Sequence, residues 1–433
     1  MKKHFIILIL ALCCLPLAAE EQLTDSIETT MQDSIVMDLD SIARIDSLER
    51  ADSLARVDSI AGDLLLEESL AWLDTTGCTA DAIITELPDS VYKARLQDLP
   101  FIIEMPYNAV VRGFIVRYLK SSKRLAGLNI KAEYYFPLFE DALCRYNLPY
   151  ELCYMAVIES ALNPMARSHA GAAGLWQFMP STGKLYGLEI NSLVDERMDP
   201  VKSTEAACRF LKSLYETFGD WNLAIAAYNC GPGNVNKAIH RSGKRDFWSI
   251  YPFLPRETRS YLPLFIAAAY AMNYADAHGV CPTELDYTMN TDTIHTNERL
   301  HLMQVSDILD IPIEELRRLN PQYSRDILPG GSKTYVLCLP TESAVDFIDQ
   351  HDLILAHRAD ELINNRRAEI ELLHKQGLNG GYSVNGVTYY KIKDGDTLSG
   401  IAKKFHVSVK QLRAWNGLKN DNIRAGKTLR IGG

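Results

Sequence analysis

The chain has 433 residues, which is too long for one ordinary domain and predicts about three structural units. Hydrophobic residues make up 47% of it and charged residues 23%, as in ordinary globular proteins. The formal net charge of -10 argues against nucleic acid as the main partner, because phosphate binding needs a basic face. Neutral sugars remain open as ligands.

The first residues, 1–19, have the pattern of an export signal. Two lysines precede an apolar run, and Ala18 and Ala19 supply the small residues of a cleavage site. The run is too short for a comfortable membrane span, and no later segment is apolar for long enough to cross a bilayer. Lipidation at Cys13 or Cys14 is the alternative to simple cleavage, but neither follows the small residue that such sites usually require. We therefore expect an exported protein of the periplasm or cell envelope, either released or anchored at its N-terminus.

The cysteines do not form the even, regular set expected of a disulfide framework. Seven follow the signal: Cys78, Cys144, Cys153, Cys208, Cys230, Cys281 and Cys338. They are expected to be buried free thiols. No cysteine or histidine cluster has the spacing of metal ligands, so we predict neither a metal nor a cofactor.

Residues 20–90 are predicted to be a disordered, low-complexity linker. An Asp-Ser pair followed by Ile or Leu recurs at Asp25, Asp33, Asp40, Asp46, Asp52 and Asp58. A six-residue spacing turns an apolar side chain by about 240° per repeat on a straight helix, so no continuous stripe forms. A solvated tether is therefore favoured over a coiled coil.

Residues 91–285 are predicted to form a compact helical domain. Pro149 can open a helix whose apolar residues have helical spacing, and Asn163-Pro164 ends it, so Glu159 lies near its C-terminal end. Three further helices are predicted downstream, at 200–218, 221–228 and about 257–277. Gly219 ends the first of these and Asp220 caps the second.

Beyond residue 285 the pattern predicts two copies of one small βααβ module. The second copy, 387–433, has strand and helix signals at 389–392, 398–405, 409–415 and 428–431. The first copy, 290–340, repeats the outline more weakly at 305–309, 312–319 and 335–339. Residues 341–386 are predicted to be a helical connector followed by a flexible, glycine-containing stretch.

The chemistry-bearing pattern begins at Glu159 and runs to Gly183. It combines a carboxylate in an apolar helix with a loop rich in small residues, followed by Trp176-Gln177-Phe178-Met179. Burial would raise the pKa of such a carboxyl group, as a general acid requires. Small residues let backbone approach a ligand, and aromatic, thioether and amide groups suit a sugar, although the same four residues also suit core packing.

Taken together, the motifs resemble the lytic transglycosylase domain of the lysozyme superfamily, specifically the membrane-bound type D group with C-terminal LysM modules. The shared residues are Glu-Ser, Asn-Pro, Ser-x-x-Gly-Ala-x-Gly-Leu-Trp-Gln-Phe-Met-Pro and Ala-Tyr-Asn-x-Gly-Pro-Gly, in order. The resemblance covers about 100–280 for the enzyme, 388–431 strongly for LysM and 294–339 weakly. It implies a mainly α fold: a lysozyme-like helical catalytic domain, then two small βααβ LysM modules, after a disordered N-terminal linker.

The resemblance implies that Glu159 is the catalytic acid and then base. Protonated, it donates to the bond between N-acetylmuramic acid and N-acetylglucosamine; ionised, it takes the proton of the muramic 6-hydroxyl, which closes to a 1,6-anhydro end. An internal hydroxyl thus replaces the water that a second carboxylate usually activates. The substrate-binding residues it implies are Ser168, Gln177, Met179, Tyr228, Asn229, Glu257 and Tyr261.

LysM modules bind N-acetylglucosamine-containing polymers between two loops. In the second copy the matching residues are Gly395, Asp396, Thr397, Leu398, Asn422 and Ile423. Leu398 would equally suit the module core. The first copy has Asn297-Glu298-Arg299-Leu300 in place of the Gly-Asp-Thr-Leu string, which puts its sugar binding in doubt. The implied partners are peptidoglycan strands, without nucleic acid, for a monomeric protein.

Two other functions remain open at this point. A second carboxylate among Asp195, Asp199 and Asp220 would favour hydrolysis by water, as in goose-type lysozymes. A wall-binding scaffold with an inactive enzyme fold is the other alternative, and the intact Glu159 motif argues against it.

Overall fold

The described part of the chain, in a computed structural model, consists of a helical domain and two smaller modules. It comprises residues 86–280, 290–375, 381–384, 387–392, 395–405, 407–418, 420–424 and 427–431, all within the unit Gly62–Gly433. The predicted export signal and the Asp-Ser repeats lie outside the described residues.

The helical domain contains ten α-helices and no strand pairing beyond isolated bridges in its described residues, 86–280. The helices are α1 (Asp89–Asp98), α2 (Ala109–Lys120), α3 (Ser122–Arg145), α4 (Cys153–Ser160), α5 (Pro180–Leu185), α6 (Pro200–Phe218), α7 (Trp221–Cys230), α8 (Pro232–Ser242), α9 (Phe247–Ile250) and α10 (Arg256–Asn273). Short 3₁₀ turns lie at Tyr150–Leu152, Tyr251–Phe253 and Asp276–His278.

Helix boundaries follow the capping signals of the sequence. The Asp199 carboxylate accepts hydrogen bonds from the first-turn amides of α6, and Asp220 does the same for α7. Gly219 ends α6 in the left-handed conformation at φ 66°. The predicted helices of this region are therefore confirmed, except that Gly231-Pro232-Gly233 also starts a helix, because Pro232 occupies the first position of α8.

Helix α10 lies in the middle of the helical core. Every residue from Tyr261 to Ala271 is buried, and the helix packs against α2, α4 and α7. An element buried on all sides needs an apolar sequence all round, which explains the long apolar run. Helix α4 is likewise buried, so Glu159 is held at the end of a rigid element.

The first module begins with β1 (Thr291–Thr296), β2 (Leu300–His301), α11 (Leu302–Leu309) and α12 (Ile313–Leu319). A 3₁₀ turn (Ser324–Asp326), β3 (Ile327–Leu328) and β4 (Tyr335–Pro340) follow. Strands β1 and β4 pair antiparallel, with Ile294 opposite Leu337, and β2 pairs with β3. The predicted βααβ outline is confirmed, with one extra short strand pair.

The connector after β4 is helical, as predicted, but it is not a separate element. It forms α13 (Thr341–Asp349), α14 (His351–Ala356), α15 (Ala359–Leu362), a 3₁₀ turn (Asn364–Arg366) and α16 (Arg367–Lys375). Phe347, Ile354 and Ile370 are buried in the same hydrophobic cluster as β1 to β4. The predicted boundary at 340 is therefore wrong, and the first module extends over residues 290–375.

The second module, residues 381–431, contains β5 (Gly381–Val384), β6 (Val387–Lys391), α17 (Leu398–Lys404), α18 (Val409–Asn416) and β7 (Thr428–Arg430). The strand order is β5-β6-β7, antiparallel throughout. The stretch predicted to be flexible thus includes a strand at 381–384. This strand pairs with one edge of β6, and β7 pairs with the other edge. Thr397 and Ser408 cap the two helices.

Two further expectations concern the thiols and membrane spans. The cysteines inside the described residues, Cys144, Cys153, Cys208, Cys230 and Cys338, are free, as predicted. The expectation that they are buried is confirmed for Cys153 and Cys208 but is wrong for Cys144, which is exposed, and for Cys230 and Cys338, which are partly exposed. Cys78 and Cys281 lie outside the described residues. Of the helices described, none combines the length and the apolar character needed to cross a bilayer.

Candidate active site

Glu159 stands at the last turn of α4, immediately before a change of chain direction. Ala161 and Leu162 both have left-handed backbone, with φ of 48° and 56°, and this ends the helix. The hydroxyl of Ser160 donates to the carbonyl oxygens of Ala156 and Leu175, at 3.0 and 2.9 Å. The helix end is thereby tied to the loop opposite, while Glu159 is half-buried and faces a cavity.

This cavity is a cleft of about 780 Å³ in the helical domain. Its lining contains the predicted catalytic residue and all seven predicted substrate-binding residues: Glu159, Ser168, Gln177, Met179, Tyr228, Asn229, Glu257 and Tyr261. These residues come from α4, α7, α10 and the loop between α4 and α5, so the fold brings together residues up to about a hundred positions apart. A volume of this size is within the usual range of small-molecule binding sites.

Tyr261 on α10 contacts Glu159 directly. Its hydroxyl donates a hydrogen bond of 2.5 Å to the Glu159 carboxylate. Burial, the negative charge of Glu159 and this hydrogen bond hold the pKa of Tyr261 well above its usual range. The phenol therefore stays protonated at any physiological pH and remains a donor to the carboxylate.

Tyr228 forms the neighbouring part of the wall. Its hydroxyl donates to the carbonyl oxygen of Trp176 at 2.8 Å, which fixes the ring between α7 and the loop. Burial, followed by the charge of Glu159, raises its pKa well above the usual value. Asn229, next in sequence, is exposed to the cleft, and its side-chain oxygen accepts from the Thr258 hydroxyl at 2.8 Å. Thr258 is a positioning residue that the sequence patterns did not indicate.

Residues 166–179, which form the later part of the loop between α4 and α5, are called the cleft loop below. Gln177 has left-handed backbone at φ 45°, and its amide nitrogen donates to the carbonyl oxygens of Ala166 and Gly174. The amide oxygen is then the group that can accept from a sugar hydroxyl. The Ser168 hydroxyl oxygen accepts from the Ala172 amide at 3.0 Å, which leaves its proton for donation.

Two predicted residues lie at the mouth of the cleft. Met179 is 41% exposed and precedes α5, where its flexible thioether can cover the apolar face of a sugar ring. Glu257 lies in the first turn of α10 and is exposed. Among the cleft-lining residues of the described chain, Glu159 and Glu257 are the carboxylates.

The three aspartates considered as a second catalytic carboxylate all have structural contacts instead. None of them lines the cleft. Asp199 and Asp220 cap helices, and Asp195 is fully buried against Arg197. Trp176 is also fully buried, with its indole nitrogen donating to Thr204, so it belongs to the core and not to the sugar-binding wall.

Arg197 is the main feature of the site that the sequence patterns did not reveal. It is 1% exposed and forms two hydrogen bonds of 2.9 Å to Asp195. Its remaining nitrogen donates to the carbonyl oxygens of Gly171 and Phe178, at 2.7 and 2.8 Å, on both sides of the cleft loop. A buried charge is tolerated only with such complete pairing. One guanidinium group thus connects the cleft loop to Asp195.

In the second module, the predicted sugar-binding residues lie in the two expected loops, with one exception. Gly395 is exposed at φ 82°, Thr397 caps α17, and Asp396 accepts a hydrogen bond from Tyr390 at 2.7 Å. Asn422 is exposed and Ile423 packs partly on the core. Leu398 is 1% exposed and belongs to the core, so its side chain is not available to a sugar.

Replacing Tyr261 with Phe tests the contact with Glu159. Losing a hydrogen bond to a charged group should lower kcat by about ten- to a hundred-fold. Because the phenol favours the ionised form of Glu159, its removal favours the protonated form, and the high-pH limb of the kcat profile should move to higher pH. The measurement is kcat against pH on a soluble peptidoglycan fragment.

Tyr154→Phe is the matched control for this change. Tyr154 is a buried tyrosine whose hydroxyl accepts one hydrogen bond from Asn273, and it does not line the cleft. Its loss should alter stability but leave the pH profile in place. An unmoved high-pH limb in Tyr261→Phe would contradict the assigned contact.

Comparisons with known proteins give one consistent result. The Transglycosylase SLT domain model matches residues 137–251, the model of the LysM-like domain of lytic transglycosylase MltD matches 290–356, and the LysM domain model matches 390–432. Membrane-bound lytic murein transglycosylase D of Escherichia coli is 31% identical over 334 residues, which are 76% of this chain and 70% of that protein.

Two further comparisons cover a smaller share of the chain. Soluble lytic murein transglycosylase of Escherichia coli is 32% identical over 166 residues, covering 35% of this chain and 25% of that protein. The crystal structure of the 70 kDa soluble lytic transglycosylase from Escherichia coli has a TM-score of 0.30 at 23% identity, covering 40% of this chain and 32% of that one.

Proposed function

Since the chain belongs to the membrane-bound lytic murein transglycosylase D family, we propose that Glu159 is the acid and base with which it cuts glycan strands. The chain is a peptidoglycan lytic transglycosylase. The assignment of Glu159 is supported by the position of its carboxylate in the cleft wall. There it accepts a hydrogen bond from the Tyr261 phenol, which stays protonated.

In the first half of the reaction, protonated Glu159 donates its proton to the oxygen between N-acetylmuramic acid and N-acetylglucosamine. The bond from the anomeric carbon to that oxygen breaks as positive charge develops on the muramic ring. Glu159 becomes ionised in this step, and the Tyr261 hydroxyl, already hydrogen-bonded to it, stabilises the new charge. The contact thus favours the transition state over the starting state.

In the second half, ionised Glu159 removes the proton of the muramic 6-hydroxyl. The 6-oxygen bonds to the anomeric carbon of its own ring, which gives the 1,6-anhydro end and returns Glu159 to its protonated form. Because the nucleophile belongs to the substrate, its effective concentration is high and no second carboxylate is needed to activate water. Gln177 and Ser168 supply an acceptor and a donor for the sugars beside the cut, and Met179 covers a ring face.

If water were the nucleophile, Glu257 would have to activate it, because Glu257 is the other carboxylate of the cleft lining. We assign it to substrate binding, since it is exposed at the cleft mouth. Glu257→Gln is then expected to raise KM by about ten-fold or less, because a typical hydrogen bond contributes about 0.5–1.5 kcal/mol net, with kcat little changed. Steady-state kinetics on a soluble glycan measures both constants.

The products of Glu257→Gln distinguish the two reaction types further. All cut ends should still be 1,6-anhydro ends by mass spectrometry. If the products of the parent protein included reducing ends and those of Glu257→Gln did not, Glu257 would be the base that activates water. That result would contradict the proposal. Glu216→Gln, at an exposed glutamate on α6 outside the cleft lining, is the matched control.

The second module is proposed to hold the enzyme on its polymer. Its loops at 395–397 and 422–423 are proposed to bind N-acetylglucosamine units, without the Leu398 side chain. A weak binding module tethered to a catalytic domain raises the local concentration of substrate.

Peptidoglycan is part of the cell envelope, so the chain acts in the cell envelope. We propose that residues 1–19 direct export, with cleavage after Ala19 favoured and lipidation at Cys13 or Cys14 as the alternative. The similar Escherichia coli protein is named as membrane-bound. We further propose that the exported protein is a monomer.

A further inference from the structure

The first module and the helical domain share one segment, residues 189–199, called the bridging segment below. It leaves the helical domain after α5 and returns to it at the cap of α6. Leu193 and Val194, at its tip, are 0% and 1% exposed and belong to the hydrophobic cluster of the first module. A piece of the enzyme domain is thus part of the core of the neighbouring module.

Backbone pairing joins the same segment to the first module. The Asp195 amide donates to the Gln322 carbonyl oxygen at 2.9 Å, and the Ser324 amide donates to the Leu193 carbonyl oxygen at 2.7 Å. Val194 and Tyr323 form the bridge between these two bonds. These hydrogen bonds set the register of the segment against the first module, because buried backbone groups need hydrogen-bond partners.

Charged contacts surround this pairing. Lys333 of the first module forms ion pairs with Glu189 and Glu196 of the bridging segment. His374, on α16, contacts the Glu189 carboxylate at 3.0 Å. Burial acts to raise the pKa of Glu189, but hydrogen bonds from Lys333 and His374 outweigh it and lower the pKa below its usual value. The segment is therefore bound by core packing, backbone pairing and charge together.

On its other side the bridging segment holds the cleft loop. Arg197 and Asp195 belong to the segment, and the Arg197 guanidinium binds the carbonyl oxygens of Gly171 and Phe178. The main chain also touches the loop directly: a Cβ atom on Gly174 would lie 1.7 Å from the Arg197 carbonyl oxygen. The cleft loop therefore rests on a segment whose far side is embedded in the first module.

From this geometry we infer that the first module is a structural part of the catalytic site, acting through Arg197 as a positioning residue. By fixing residues 189–199, it sets the position of the cleft loop and hence of Ser168 and Gln177 beside the scissile bond. This role does not require the first module to bind sugar. The inference rests on the proposed placement of substrate along the cleft loop, and a misplacement of about 1 Å at such a site costs about a hundred-fold in rate.

The direct test is Arg197→Lys in the full chain. A lysine keeps a positive charge beside Asp195 but cannot form two bonds to it and two to the loop carbonyls. We expect kcat on a soluble glycan tetrasaccharide to fall by about ten- to a hundred-fold, with KM changed much less. Hydrogen exchange at the Ala173 and Phe178 amides, which bond across the cleft loop, should accelerate, while α10 keeps its protection.

A pair of matched cavity variants keeps the inference testable if Arg197→Lys fails to fold. Leu193→Ala and Leu302→Ala each empty a fully buried leucine from the same cluster, but only Leu193 lies on the bridging segment. Both should lower the unfolding temperature. Only Leu193→Ala should also lower kcat on the soluble tetrasaccharide and speed exchange at Ala173 and Phe178.

Equal behaviour of the two leucine variants in kcat and in exchange would overturn the inference. So would a folded Arg197→Lys protein with parental kcat and parental exchange. A module that acts only by wall binding would change the clearing of insoluble peptidoglycan and leave the soluble substrate unaffected. Because exchange is measured without substrate, failure of this inference can be told apart from failure of the assignment of Glu159.

Discussion

Glu159→Gln is expected to lower kcat by about 10²- to 10⁴-fold, the usual contribution of general acid and base catalysis. The amide has the same shape as the carboxyl group and can still accept the hydrogen bond from Tyr261, so packing is retained. It can neither donate the proton that the leaving oxygen needs nor remove the proton of the 6-hydroxyl. Cleavage of a soluble glycan fragment, followed by chromatography, measures the loss.

The matched control for this variant is Glu216→Gln. Glu216 is an exposed glutamate on α6 and does not line the cleft. It should retain parental activity, and both variants should keep the parental unfolding temperature. Equal clearing of peptidoglycan by Glu159→Gln and the parent in a zymogram would remove Glu159 from the mechanism, and clearing by neither would favour a wall-binding scaffold.

The second large effect is expected from Gly174→Ala in the cleft loop. Gly174 has φ 86°, and an added Cβ would lie 1.7 Å from the carbonyl oxygen and 2.6 Å from the carbonyl carbon of Arg197. Both are backbone atoms, which cannot turn aside, so the loop or the bridging segment must shift. The left-handed backbone costs about 1–2 kcal/mol and the overpacking about 1–3 kcal/mol, which predicts a total loss of roughly 2–5 kcal/mol of unfolding free energy.

Activity should fall further than stability alone explains, because the loop carries Gln177 and Phe178 in the cleft lining. Gly171→Ala provides the comparison within the same loop. Gly171 has φ 92°, but an added Cβ meets no atom within 4 Å, so only the backbone cost of about 1–2 kcal/mol is expected. Denaturant unfolding and kcat of the two variants measure the difference; equal losses would contradict the close approach at Gly174.

The elements of the helical domain were predictable where local signals determine them. Gly219 and Asp220 act through neighbours within four residues, so this end and this cap could be predicted from the sequence. The motif residues of the cleft were predictable because the family resemblance assigns them together. Their placement around one cleft matches that prediction, while their roles in catalysis and binding stay proposals.

Contacts between distant residues were not predictable in the same way. Arg197 contacts carbonyl oxygens 19 and 26 residues away, and a lone arginine in a sequence is usually a surface residue. The small residues of the cleft loop were interpreted as giving room for a ligand. At Gly174, the structure shows that the room is taken by the Arg197 backbone.

The connector was misassigned for a related reason. Helical periodicity shows that α13 to α16 have apolar faces, but it does not show which core those faces join. The structure places Phe347 and Ile370 in the first module. Leu398 illustrates the same limit at one residue, because a motif position in a binding loop can be a core position as well.

The central claim is that one glutamate serves both proton transfers while the muramic 6-hydroxyl attacks its own ring. Digestion of peptidoglycan in water enriched with heavy oxygen, followed by mass spectrometry of the products, tests it most directly. The account predicts 1,6-anhydro ends that contain no heavy oxygen, for the parent protein and for Glu257→Gln alike. Reducing muramic ends that carry one heavy oxygen atom would show that water is the nucleophile and would contradict the account.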